Sequence, residues 1–269
     1  MGTSQSKRDA GPGRPLVPPW ANQDPAPPPE VPAQTPQTPL PAPTPAELAP
    51  PRRYLGFRRA LGGYAASGDP GDAHIALGHW ARTATGGSRA GSARVARAAR
   101  TGGAALAGLS RAANGLAPAS GAIDIRTLAG LPIESAIDRI VDAFCPPGIL
   151  DEDLARIAIG EALATVLAGA DAFDPAALDV HAIQVATLTF AAELVFLQVA
   201  GDVGTSLAAA PSHAAAVQRE TDLRALIREV ADIVGTPILE AANNLLTPET
   251  MAGLVSQLVR AVEAEMESW

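Results

Sequence analysis

Sixteen of the chain's 25 prolines fall between Pro12 and Pro51. Proline fixes φ and has no N–H to donate, so DPAPPPEVPAQTPQTPLPAPTPAELAPP cannot form a helix or a central strand. Residues 21–51 therefore read as an extended, semi-rigid linker. At about 3.1 Å per residue, some thirty residues reach roughly 90 Å. Residues 1–20 lie ahead of this linker and are built differently. Gly2 follows the initiator Met, a polar stretch and a Gly/Pro turn come next, and Leu16, Val17 and Trp20 then sit in a proline-stiffened run. A disordered tail has no need of a tryptophan, so residues 1–20 read as a linear docking motif on a disordered arm.

Beyond Arg52 the pattern turns helical. Of 269 residues 47% are apolar but only 4% aromatic. The core must therefore come from Ala, Leu, Ile and Val, and Ala and Leu are strong helix formers. LPIESAIDRIVDAF sets Ile133, Ile137, Ile140, Val141 and Phe144 on one stripe. Cys145-Pro146-Pro147-Gly148 ends it, and Asp151 is predicted to cap the next helix. Asp69-Pro70, Asp174-Pro175, Thr236-Pro237 and Thr247-Pro248 each read as an N-cap followed by proline at the first helical position. No alternating strand pattern stands out. The expected fold is all-α: an acidic helical domain over 122–269, and before it a less regular basic region over 52–121, rich in Gly, Ala and Arg.

The stretch AIQVATLTFAAELVFLQVA, Ala182 to Ala200, is near the length of a membrane span. It contains Gln184, Glu193 and Gln198 and lies between Asp179 and Asp202 without adjacent Lys or Arg, so it reads as a buried core helix, with Glu193 in need of a partner. No apolar leader lies within residues 2–15, and the single Cys145 excludes an intrachain disulfide. The expected compartment is the cytoplasm, with no membrane contact.

Catalytic patterns are not found. The sequence lacks GxxxxGK[ST], HExxH, CxxC and G-x-S-x-G, and His74 and His79 are five apart, which does not suit a shared metal face. The reading is a non-enzyme without cofactor or metal. Charge offers more. Residues 1–120 carry 13 Lys+Arg against 6 Asp+Glu, and residues 121–269 carry 7 against 22. Such a split suits halves with different partners, or halves that attract each other. Arg89, Arg97 and Arg100 fall roughly on one predicted helical face, with Arg82, Arg94 and Arg111 nearby. Two readings fit them: phosphate binding to a nucleic acid, or contact with an acidic partner, this chain's own acidic half included.

Several segments taken together carry a resemblance. MGTSQS…GPGRPLVPPWA, the Pro-rich linker, RRYLG ahead of a Gly/Ala/Ser/Arg segment, and VDAFCPPGILDEDLARIAIGEAL resemble the QatB family of the bacterial Qat anti-phage defence system. The likeness is firmest at residues 1–21 and 141–163. It implies an operon with an ATPase (QatA), a QueC-like enzyme of deazaguanine chemistry (QatC) and a TatD-like nuclease (QatD), and a non-catalytic role for this chain. QueC-like enzymes activate a deazapurine carboxylate with ATP for attack by ammonia, a place that a protein α-amine can take. On this reading Gly2, freed of Met1, is a modification site, Thr3 and Ser4 thread after it into QatC, and Leu16, Val17 and Trp20 dock on the enzyme surface. A rival reading of the same end is N-myristoylation, from Gly2 and Ser6 in M-G-x-x-x-[ST]. That transferase is eukaryotic, whereas the resemblance is bacterial.

Overall fold

A computed structural model of the chain describes residues 52–118, 123–145, 150–242 and 247–269. By its contacts the chain divides into Met1–Glu47 and Leu48–Trp269, and the described residues belong to the second unit. Gly2, Thr3, Ser4, Leu16, Val17, Trp20 and the proline linker lie outside the described residues.

The described residues form an all-α body. Its helices are α1 (Leu55–Ser67), α2 (Pro70–His79), α3 (Ser88–Arg94), α4 (Ala96–Ala113), α5 (Ile133–Phe144), α6 (Leu150–Val166), α7 (Val180–Asp202), α8 (His213–Ala241) and α9 (Pro248–Glu267). Among these residues there is no strand, only an isolated antiparallel bridge between Pro132 and Ala172.

Among the described residues, side-chain caps set four of the helix starts, those of α2, α7, α8 and α9. The Asp69 carboxylate accepts from the Gly71 N–H at 2.7 Å with Pro70 at the first position, and the Thr247 hydroxyl accepts from the Thr250 N–H at 3.3 Å ahead of Pro248. Asp174 is likewise a cap followed by Pro175, its carboxylate accepting from the Ala176 N–H at 2.9 Å, but what it opens is a short 3-10 turn, Pro175–Ala177, and α7 starts after a second cap, Asp179, which accepts from the Ala182 N–H at 2.7 Å. Two expectations are corrected. Thr236-Pro237 starts nothing, because α8 runs through it. Pro237 is exposed, and the carbonyl that it leaves without a donor belongs to Ile233, 67% exposed, where water can replace the lost bond. Asp151 lies inside the first turn of α6, which begins at Leu150, instead of capping it.

At the centre lies α7, packed on α4, α6, α8 and α9. It is long and apolar enough to cross a bilayer, yet 67% of its most apolar window is buried inside the protein. Around it the basic and acidic segments contribute to one hydrophobic cluster: Trp80, Leu106 and Leu109 from the first, Ile140, Phe190 and Val259 from the second. With so few aromatics, the core is closed by bringing backbones together. A Cβ built on Gly102 would lie 2.0 Å from Cζ of Phe190, and one on Gly103 would lie 2.7 Å from the backbone N of Ala252. Neither position can hold a side chain unless α4 backs away from α7 and α9.

This predicts opposite signs for two glycine substitutions. Gly103→Val forces α4 off α9 and is expected to destabilise the protein by about 1–3 kcal/mol or more. In α6, a Cβ on Gly160 meets nothing within 4 Å, so Gly160→Ala is expected to stabilise by roughly 0.5–1 kcal/mol. Urea unfolding followed by circular dichroism at 222 nm checks both.

Candidate functional site

The arginines of the basic segment are carried by α3 and α4. Arg89, Arg97 and Arg100 are all exposed. The two helices are separated at Val95, whose φ and ψ are −95° and 6°. Arg89 thus belongs to α3, and Arg97 and Arg100 to the first turns of α4, so helical spacing does not relate the first to the other two. No acidic residue occupies the first turn of α4. Cations at a helix N-terminus oppose the macrodipole, so Arg97 and Arg100 sit where a bound anion is favoured. Arg100 also lines an open cleft of about 420 Å³ against the start of α9, with Ala96, Pro248, Glu249, Ala252 and Ser256.

The neighbouring arginines act internally. Arg82 donates to the Glu267 carbonyl at 2.7 Å, and Arg111 to the Ala117 carbonyl at 3.0 Å. Arg94 donates to the Ala84 carbonyl at 3.0 Å and lies 3.7 Å from the Asp202 carboxylate, which accepts from the Trp80 indole at 3.0 Å.

Among the described residues two carboxylates are fully buried. Glu193 on α7 is the one for which the sequence demanded a partner. Arg228 grips its Oε1 from two nitrogens, at 2.7 and 3.1 Å, and Arg224 stands 3.8 Å from Oε2. Glu161 joins both arginines at 3.5 and 3.8 Å, so the cluster ties α6, α7 and α8 together. Arg224 also stacks over Phe196, 4.4 Å from the ring centre.

Glu263 on α9 is less well matched. Gln198 donates to its Oε1 at 3.4 Å, while Glu263 Oε2 and Gln198 Oε1 are buried with no hydrogen-bond partner among the described residues. Burial pushes the Glu263 carboxyl up to about 8, and the nearby Glu267 carboxylate pushes the same way. Gln198, Arg94 and the Ser92 backbone pull it down. Sequence reasoning missed this residue, though the signal was there. The α9 stripe Leu254, Val255, Leu258, Val259, Val262, Met266 passes through position 263, four after Val259 and three before Met266.

The remaining candidates are structural in their contacts. Cys145 is buried, and Arg156 donates to its carbonyl and to Asp142. His74 packs on Trp269, with ring centres 4.4 Å apart. Among the described residues, no group of three or more His, Cys, Asp or Glu is placed to hold a metal ion.

Comparison with known protein families gives a match. Residues 86–262, from ahead of α3 into the last turns of α9, match the family described as Qat anti-phage system associated protein QatB. No curated protein and no solved structure matches.

The ion-pair cluster predicts unequal costs. Arg228→Met leaves the buried Glu193 carboxylate with the longer Arg224 contact alone and is expected to destabilise by about 3 kcal/mol. Glu161→Gln removes only half-exposed pairs and is expected to cost less than about 1 kcal/mol. Chemical denaturation of the two variants side by side checks the difference.

Proposed function

We propose that this chain, which belongs to the QatB family of the Qat anti-phage system, is a non-catalytic component that binds the QueC-like enzyme QatC through its N-terminal arm and is conjugated there. The family match over residues 86–262 is the observation that carries the place in the system. The finer reading is supported by the composition of the arm. Leu16, Val17 and Trp20 supply apolar anchors in an otherwise polar, proline-rich segment. Such anchors often contribute about 2 kcal/mol or more each to a small interface. The linker lets the motif act at a distance from the helical body.

Conjugation at Gly2 follows from amine chemistry. Lys7 is the only lysine, so the acceptor is either that side chain or the processed terminus. A neutral amine is the nucleophile. The α-amino pKa of about 7.7–8.0, against about 10.4 for lysine, leaves far more of the terminus neutral near pH 7. The amine attacks the activated deazaguanine carboxyl, the nucleotide leaves, and an amide remains. Thr3 and Ser4 follow Gly2 into the enzyme. The protein acts in the cytoplasm beside QatA and QatD.

A second reading is favoured by one observation, the exposed Arg97 and Arg100 on the first turns of a helix that has no acidic residue there. On it the chain is an adaptor that presents phage nucleic acid to the partner nuclease.

Two measurements separate these readings. Intact-mass analysis after co-expression with active QatC is expected to show an adduct on Gly2 that survives Lys7→Arg and is abolished by Gly2→Glu. Deleting residues 2–20 is expected to weaken QatC binding and leave the helical body folded. An unmodified Gly2 terminus removes conjugation, and unchanged affinity of the truncated chain removes the arm from the interface. For the adaptor, replacing Arg89, Arg97 and Arg100 with Gln is expected to lower nucleic-acid affinity and to reduce the log–log salt slope by roughly 0.7–0.9 per lost phosphate contact. Wild-type protein that shows no salt-sensitive binding ends that reading.

A further inference from the structure

The junction between α3 and α9 is built unlike the rest of the body. Ser88–Arg94 is a seven-residue helix bounded by two left-handed glycines, Gly86 (φ 85°) and Gly87 (φ 94°), and by the break at Val95. Its only buried residues are Gly91 and Ser92, so no large apolar side chain fastens it. What holds it is polar. The Ser88 N–H donates to the Glu267 carboxylate, Arg94 reaches Asp202 and the Ala84 carbonyl, and the backbone at Gly91 lies directly on Glu263. The approach is so close that a Cβ on Gly91 would fall 2.3 Å from both carboxylate oxygens.

We propose that α3 is a hinged flap that closes over Glu263 only while that carboxyl carries a proton.

In the interface Glu263 Oε2 and Gln198 Oε1 are both acceptors without a donor. A proton on Oε2 turns one of two orphaned acceptors into a donor, and an acid facing a primary amide is then able to donate and to accept. Ionised, the same carboxyl is a buried charge held by the Gln198 amide at 3.4 Å and the Ser92 backbone, with Oε2 left unpartnered among the described residues. The charges around it do not compensate. Glu267, on the same helix, repels it; Arg94, from α3, attracts it but is shared with Asp202 of α7; Gln198 of α7 is neutral; and the remaining donor is the Ser92 backbone of α3. Lifting α3 hydrates the ionised carboxylate at little apolar cost, since α3 buries only Gly91 and Ser92. It also carries Arg89 away and bares Glu263 and Glu267, an acidic floor open to a cationic group.

Linkage sets the direction. The closed state holds the proton more tightly than the open state, so closure is complete below the ordinary carboxyl range and is lost as pH rises towards about 8, where Glu263 titrates when covered. Between those limits one proton is released on opening, and the opening constant rises tenfold per pH unit.

Hydrogen exchange on the full chain between pH 5.5 and 9 tests this, read as protection factors so that the intrinsic pH dependence cancels. The amides of Gly91, Ser92 and Ala93 are expected to lose protection about tenfold per pH unit up to about pH 7.5 and to level off near pH 8. Those of α4 and α9 are expected to hold. Glu263→Gln, a neutral side chain of the same shape, is expected to keep α3 protected at every pH, and Gly91→Ala to leave it unprotected at every pH. Protection of α3 that does not change with pH overturns the proposal. So does a parallel loss in α9, or an unchanged slope in Glu263→Gln. If a variant fails to fold, the wild-type profile decides alone.

Discussion

The body depends on how near α4 can come to α7 and α9. Gly102 lies against the ring of Phe190 and Gly103 against the backbone of Ala252, and both approaches are closer than any side chain allows. A core poor in aromatics reaches native density in this way, by short distances between backbones in place of large side chains. The approach also fixes direction. Gly91 meets Glu263 and Gly103 meets Ala252, so α3 and α4 run along α9 in the opposite sense to its chain. The start of α4, with Arg97 and Arg100, is thereby held beside the start and middle of α9, while α3 lies over its C-terminal part.

The uneven charge of the sequence is partly resolved within the fold. Arg94 faces Asp202, Arg58 donates to the Asp202 carbonyl and Arg82 to the Glu267 carbonyl, each a contact from the basic segment to the acidic one. These contacts are made by the arginines that lie against α7 and α9. Arg89, Arg97 and Arg100 project from the exposed side of the same segment. One stretch of chain thus presents guanidinium groups inward for cohesion and outward at the surface, and composition alone does not distinguish the two.

How much of this was legible depended on how local the cause was. The caps at Asp69 and Thr247 were readable because cap and helix lie within a few residues of each other. The same kind of signature at Thr236-Pro237 misled, since what allows Pro237 inside α8 is the solvent around Ile233, a tertiary circumstance. The break at Val95 has no proline behind it; it lies between two seats on α9, the carboxylate under Gly91 and the backbone against Gly103. Glu193 announced itself by sitting in an apolar run, and its partners Arg224 and Arg228 came from α8, beyond any local pattern. Glu263 fell on the buried stripe by spacing but resembled its neighbours, exposed Glu265 and half-buried Glu267, in type. The candidate motif at Gly2, Thr3, Ser4, Leu16, Val17 and Trp20 rests on sequence alone.

The seat of Gly103 on Ala252 has a consequence for the order in which the protein is made. Helices usually find their neighbours early, because most of their contacts are local. Here α4 is translated long before α9, and the helix it packs against most extensively is incomplete until synthesis has passed Ala252. Meanwhile α7, apolar on nearly every side, emerges before α8 and α9, two of the helices that cover it. The nascent chain therefore carries a partly uncovered apolar helix until α9 has left the ribosome, a period in which such surfaces attract chaperones or one another.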